Sequence, residues 1–165
     1  MEHPIIYENN NFIVKAFTTP TPHVDRDDGG HIMIEPKIRV VDRQQLSPKL
    51  AIEVMRLTMI VGEAMAKVMN EHGVDVGRIN YQDMGSWSVF KPEGPYFHIQ
   101  VYGRAKSAKY NKYGDSVYLP QRADKPEWYA QFKPLNNEDI EDIGKEIIRL
   151  LSIDKYSDKQ WGLSS

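Results

Sequence analysis

The segment Tyr96-Phe97-His98-Ile99-Gln100-Val101-Tyr102 alternates with a period of two, the side-chain period of a β-strand. Phe97, Ile99 and Val101 form a uniformly apolar row, expected to rest on the core under a helix. Tyr96, His98, Gln100 and Tyr102 form the opposite row. That row is neither a charged, solvated surface nor an apolar one. It sets one imidazole among aromatic and amide groups, as a ligand site does; the plainer alternative is an exposed strand face that happens to carry a histidine. A neutral imidazole whose far nitrogen is held by an acceptor is a nucleophile towards electrophilic phosphorus. A second histidine, His31, follows Asp27-Asp28-Gly29-Gly30 and opens another candidate strand. Two glycines before a strand let the backbone approach another group closely; the alternative is a simple turn with a half-buried histidine.

Composition narrows the classes of function. The chain has 165 residues, with 21 Lys plus Arg against 23 Asp plus Glu, a formal net charge of −2. That length predicts one domain, and 41% hydrophobic residues supply a core. A near-neutral balance argues against a strong electrostatic nucleic-acid binder, but it leaves room for a small phosphate-bearing ligand. The absence of cysteine removes disulfides, thiolate metal sites and cysteine nucleophiles, and fits a cytoplasmic protein. Met1-Glu2-His3-Pro4 has neither region of a signal peptide. The longest apolar stretch, Met59 to Met69, is broken by Gly62, Glu63 and Lys67 and is too short and polar to span a bilayer.

The elements that must position the two histidines are legible in outline. Ile5–Phe17, with Asn9-Asn10-Asn11 at its turn, predicts a β-hairpin. Thr18–Gly30 reads as a loop, and His31–Glu35 as a strand ended by Pro36. Ser47-Pro48 is a helix start, with Ser as N-cap and Pro in the first turn. Ala51, Val54, Met55, Met59, Met65, Ala66 and Met69 follow at helical spacing, and Gly73 stops the helix. This methionine-rich stripe is expected to be core. Three further strands are predicted at Gly77–Gln82, Trp87–Phe90 and Tyr96–Tyr102, then a polar, tyrosine-rich arm over Ala105–Tyr118. Lys125–Pro134 reads as irregular. A second helix begins near Asn137 and carries Ile140, Ile143, Ile147 and Leu150 or Leu151 on one face. The whole predicts an α+β domain with a mainly antiparallel sheet of about five strands, one long helix and one shorter one.

Taken in order, these pieces resemble the histidine triad (HIT) superfamily of nucleotide hydrolases and transferases over roughly Ile5 to Arg104. Ile6-Tyr7-Glu8-Asn9-Asn10-Asn11-Phe12-Ile13-Val14 is similar to the family's opening hairpin. Gly30-His31-Ile32-Met33-Ile34-Glu35-Pro36-Lys37 is similar to its Gly-His-strand-Pro-Lys block. Asn80-Tyr81-Gln82-Asp83 resembles the strand before the signature, and Pro95 to Arg104 resembles the signature. The family pattern is His-x-His-x-His with the middle histidine as nucleophile; here Tyr96, His98 and Gln100 hold the three positions. His followed two residues later by Gln resembles the galactose-1-phosphate uridylyltransferase and dinucleoside-polyphosphate phosphorylase branch, which keeps a histidine where Tyr96 stands. Lys91-Pro92-Glu93-Gly94 occupies the place of the family's Gly-Gln-Ser/Thr stretch.

The resemblance implies residues 1–104 as a HIT-like core; the arm and helix read from the residues beyond it make 105–165 a C-terminal extension within the same domain. It implies a nucleotide hydrolase or nucleotidyltransferase acting on a nucleoside phosphate or dinucleoside polyphosphate. Its alternative is a HIT-fold nucleotide binder that has lost turnover. His98 would be the nucleophile, its far nitrogen held by a backbone carbonyl. Gln100 would donate its amide to a phosphate oxygen. His31, Gln82, Tyr96 and Arg104 would line the substrate, and Ile6, Phe12 and Ile32 would wall the base or simply be core. A small-molecule nucleotide and a second copy of the chain are the implied partners. No resident cofactor or metal is implied, although a divalent cation can accompany a polyphosphate. Asp25, Asp27 and Asp28 lack the spacing of a calcium loop. Lys106, Lys109 and Lys112 beside Tyr110 and Tyr113 read as a solvated arm. Trp128 and Trp161 read as anchors of the tail to the domain or to a second subunit.

Overall fold

A computed structural model describes residues 2–164. Five strands, β1 (Ile5–Glu8), β2 (Phe12–Ala16), β3 (His31–Pro36), β4 (Val76–Met84) and β5 (His98–Ala105), form one antiparallel sheet in the order β1-β2-β3-β5-β4. Helix α1 (Pro48–Glu71) connects β3 to β4. A short α2 (Pro126–Ala130) and α3 (Asn137–Leu151) follow the sheet. The architecture is the expected α+β one, with a third, short helix inside the stretch read as irregular.

Local chemistry explains the long elements. Ser47 Oγ accepts the Leu50 N–H at 3.3 Å and Pro48 opens α1, satisfying a donor that would otherwise be orphaned. At its far end Gly73 takes a positive φ of 83°. A reciprocal capping box between Asn136 and Asp139 starts α3. The asparagine turn does more than reverse the chain. Asn9 Nδ2 and Asn11 Nδ2 donate to the two oxygens of buried Glu53 at 3.0 and 2.8 Å, which ties the β1–β2 hairpin to α1.

One face of the sheet packs against α1 and α3. Phe12, Val14, Ile32, Ile34, Phe97 and Val101 meet Leu57, Ile60, Val61, Met65 and Met69 of α1, and Ile143, Ile147 and Leu150 of α3, in a single core. The opposite face, which carries His98, Gln100, Tyr102 and Arg104, is buried as well. Residues 17–25 and the chain beyond β5 supply aromatic and cationic side chains over it.

Three expectations are corrected. Trp87–Phe90 is not a strand: Ser86–Ser88 form a 3-10 turn, and Phe90 is fully exposed. The β5 strand, expected over Tyr96–Tyr102, begins at His98 and runs on to Ala105, while β4 extends to Met84. The methionine stripe divides: Met65 and Met69 are core, whereas Met55 is 56% exposed and Met59 37%. These two lie on the flank of α1 that turns towards Tyr81 of β4 across an open groove.

The arm over residues 105–118 is held rather than loose. Buried Asp28 accepts the backbone N–H groups of Lys109, Tyr110 and Asn111 at 2.6, 2.8 and 2.8 Å. Asp25 likewise accepts the Lys133 and Asp27 amides, so these aspartates serve as backbone clamps. Trp128 packs edge-on against Tyr110, Tyr118 and Phe132. Trp161 donates to the Lys155 carbonyl at 2.9 Å. Both tryptophans anchor the C-terminal segments to the domain. Among the described residues, no helix is long and apolar enough to cross a membrane.

Candidate functional site

His98 opens β5 with its Nδ1 3.1 Å from the Tyr96 carbonyl oxygen. A carbonyl can only accept, so Nδ1 carries the proton and Nε2 keeps its lone pair. The Tyr96 ring stacks on the imidazole at 4.5 Å. Burial pushes the His98 pKa below the ordinary imidazole value, which keeps the ring neutral and nucleophilic at neutral pH. His98 borders a cavity of about 260 Å³, shared with Phe17, His23, Trp87, Lys91, Gln100 and Arg122 among others.

Gln100 is held by His31. The backbone N–H of His23 donates to His31 Nδ1 at 3.1 Å, so the His31 proton sits on Nε2 and is donated to Gln100 Oε1. With its oxygen engaged there, the Gln100 amide presents its NH2 as the free end, and the residue borders the cavity. His31 is 1% exposed, stacked between Phe17 at 4.5 Å and His23 at 4.7 Å, with its pKa driven well below the imidazole norm by burial. It therefore does not border the cavity itself and supports it from behind, through Gln100, Phe17 and His23. Gln82 lies directly across from Gln100 on β4. Its buried Oε1 has no hydrogen-bond partner among the described residues.

Not all the sequence-predicted residues converge. Tyr96 stacks on His98 and faces a separate cleft beside Arg39, whose guanidinium lies 5.4 Å from its ring centre. Arg104 is six residues beyond His98, about 20 Å along the strand. It donates to Asn80 Oδ1 at 3.0 Å and to the Lys112 and Asp115 carbonyls at 3.0 and 2.7 Å. Phe12 and Ile32 are wholly buried core and Ile6 packs against it; none of the three borders the His98 cavity.

Among the cavity residues that escaped the sequence reading, four carry ionisable or large aromatic side chains that bear on its chemistry. Arg122 contributes the guanidinium. It is anchored by donation to Thr21 Oγ1 at 2.8 Å and to the Thr21 carbonyl, with its charge 4.3 Å from the Tyr129 ring centre. Lys91, between β4 and β5, lines the cavity with an ammonium-bearing side chain. His23 is paired through Nδ1 with the Tyr102 hydroxyl at 3.0 Å, and burial lowers its pKa to about 3. Trp87 packs on His23 at 5.2 Å. Only Lys91 had a signal in the sequence, its place four residues before Pro95; the others come from loops without periodicity. A neutral nucleophile, an amide donor and two cations around one small cavity suit an anionic phosphate ester. A larger cavity of about 450 Å³ lies on the other face, between α1, β4 and β5. It is lined chiefly by apolar side chains such as Val54, Met55, Met59 and Phe97, and no histidine borders it among the described residues.

No protein-family model and no curated protein sequence matches the chain. Solved structures do. The chain is similar to a zinc-bound histidine triad family protein from Mycobacterium smegmatis, at 16% identity and a TM-score of 0.56, over 92% of this chain and 88% of that one. It is similar to a hypothetical histidine triad nucleotide-binding protein from Sulfolobus tokodaii, at 14% identity and 0.56, over 92% and 87%. It is also similar to a HIT-like protein involved in cell-cycle regulation from Bartonella henselae, at 14% identity and 0.51, over 89% and 85%. The chain has the histidine triad fold.

Proposed function

We propose that this histidine triad fold serves a nucleotide hydrolase or nucleotidyltransferase working through His98. One observation carries the reading: His98 donates Nδ1–H to the Tyr96 carbonyl while its ring borders a cavity that also holds Gln100 and Arg122. Nε2 attacks the α-phosphorus of a nucleoside phosphate or dinucleoside polyphosphate. The N–P bond forms as the bond from phosphorus to the leaving oxygen breaks, and that oxygen departs with the electron pair as a phosphate. Water or a second acceptor then attacks phosphorus, and the N–P bond breaks to restore the imidazole. The Gln100 NH2 and the Arg122 guanidinium bind non-bridging oxygens as charge develops. His31 fixes the Gln100 amide, Gln82 stands beside it, and Tyr96 orients the His98 ring by stacking.

The substrate is the only small molecule required; a divalent cation would travel with a polyphosphate rather than reside in the protein. A cysteine-free chain fits a cytoplasmic setting. A second reading, a nucleotide binder without turnover, draws on Gln100, which cannot protonate a leaving group.

Incubation with a dinucleoside polyphosphate, base quench and intact-mass measurement tests the reading. One nucleotidyl adduct is expected, absent from His98→Ala, with turnover lost by about a thousandfold or more. Turnover that survives in the variant overturns the mechanism. Tight nucleotide binding with neither adduct nor turnover selects the second reading.

A further inference from the structure

Away from the His98 cavity, Arg78 of β4 and Arg104 of β5 stand directly opposite each other. Residues so paired have their Cβ atoms about 4.5–5.5 Å apart, and like charges there repel. Neither guanidinium forms an ion pair with a carboxylate among the described residues. Arg104 is 4% exposed and is held by one side-chain amide and two carbonyls. Its Nε–H has no acceptor among the described residues. Burying a cation that makes no direct ion pair is costly; burial pulls the Arg104 pKa down, against the opposite pull of the Asp115 and Asp28 carboxylates.

Both arginines border a cavity of about 360 Å³ with Asn80, Tyr113, Asp115 and Ser116. Asn80 accepts from Arg104 through Oδ1, which leaves its NH2 as a donor. Ser116 and Tyr113 add hydroxyls. The Tyr113 oxygen would lie 2.9 Å from a Cβ at position 77, so Gly77 makes room for it. Asp115 is the one carboxylate in the lining; its side chain is exposed, and its carbonyl is what engages Arg104.

We propose that Arg78 and Arg104 form a second binding site, for a phosphate-class oxyanion, about 20 Å from His98 along β5. Two guanidinium forks match tetrahedral oxyanions. The surrounding amide and hydroxyl donors exceed what a carboxylate with two oxygens would use. The anion is either the far phosphate of a long substrate or an independent phosphate metabolite. The site stands apart from the chemistry assigned to His98.

The test titrates inorganic phosphate against chloride at matched ionic strength, reading the side-chain Nε–H resonance of Arg104 by NMR. Arg78→Gln is the informative variant, because Arg78 is exposed and makes no ion pair among the described residues. Phosphate is expected to move the Arg104 resonance in the parent protein. Affinity should weaken about tenfold or more in Arg78→Gln and stay unchanged in Arg122→Gln, which reports the His98 cavity. A resonance that does not move, or an Arg78→Gln titration like that of the parent, overturns the site. Raised KM for dinucleoside polyphosphates in Arg78→Gln, growing with phosphate-chain length, would assign the anion to the substrate. Unchanged KM beside weakened phosphate binding would assign it to a separate metabolite.

Discussion

His98 and Gln100 owe their roles to partners that are far away in sequence or belong to the backbone. The Tyr96 carbonyl sets the His98 tautomer, and burial lowers the His98 pKa. A lowered pKa means that the neutral nucleophile persists to lower pH. kcat/KM should therefore be flat above about 6.5, the unperturbed imidazole value, and fall only in more acid solution. An acid limb centred at pH 7 or above would contradict this site. In the proposed reaction Gln100 would set the leaving group. Its amide binds oxygen but delivers no proton, so phosphate-leaving substrates should be cleaved far better than nucleoside phosphoramidates of amines. Gln100→His should raise the ratio of phosphoramidate to polyphosphate turnover by roughly ten- to a thousandfold, within the usual reach of general acid help. The same substitution in Tyr96→Phe should give the same gain, because Tyr96 stacks on His98. An unchanged ratio in both backgrounds would free Gln100 of that role.

At the scale of elements, capping chemistry was local and therefore legible. Ser47-Pro48 and Asn136 to Asp139 start their helices as the residue types demand. The expected strand at Trp87–Phe90 failed because β-forming side chains do not make a strand without a neighbour to pair with; β4 and β5 pair with each other up to Met84 and His98. The arm shows the converse. Nothing in the order of Lys106 to Tyr118 says that it is fixed, yet one aspartate some eighty residues earlier in the chain holds three of its amides. Asp28→Ala should cost roughly 3 kcal/mol, since three buried donors lose a charged acceptor. Hydrogen exchange at Lys109, Tyr110 and Asn111 should quicken in step. A loss under about 1 kcal/mol in chemical denaturation would show that the clamp is dispensable.

For the whole molecule, the outer edge of β4 has no strand beside it among the described residues. The exposed Met55, Met59 and Tyr81 adjoin the same apolar groove. Unpaired edges and contiguous apolar surface invite a second chain, and a homodimer across β4 and α1 would cover both. Light scattering at micromolar concentration should give about 38 kDa, twice the 19.1 kDa chain mass. A mass near 19 kDa would refute the pairing. Met59→Glu should shift the equilibrium towards the monomer by placing a charge in the covered surface.

The sequence by itself determined the α+β class, both long helices, the places of all five strands of the sheet and the two-faced strand that carries His98 and Gln100. Those features rest on periodicity and on contacts a few residues apart, which residue order encodes directly. It also placed His31 near the same strand, through a glycine pair and a family pattern. Only the tertiary structure decided how His31 acts, because its role depends on one hydrogen bond from His23 and another to Gln100, 69 positions away. It brought Arg122 to His98 through an anchor at Thr21, 101 positions earlier, and moved Arg104 out of that cavity to face Arg78. Such meetings are set by strand register and loop closure. Neither leaves a periodic mark on the chain, since each joins single residues whose spacing no local rule constrains.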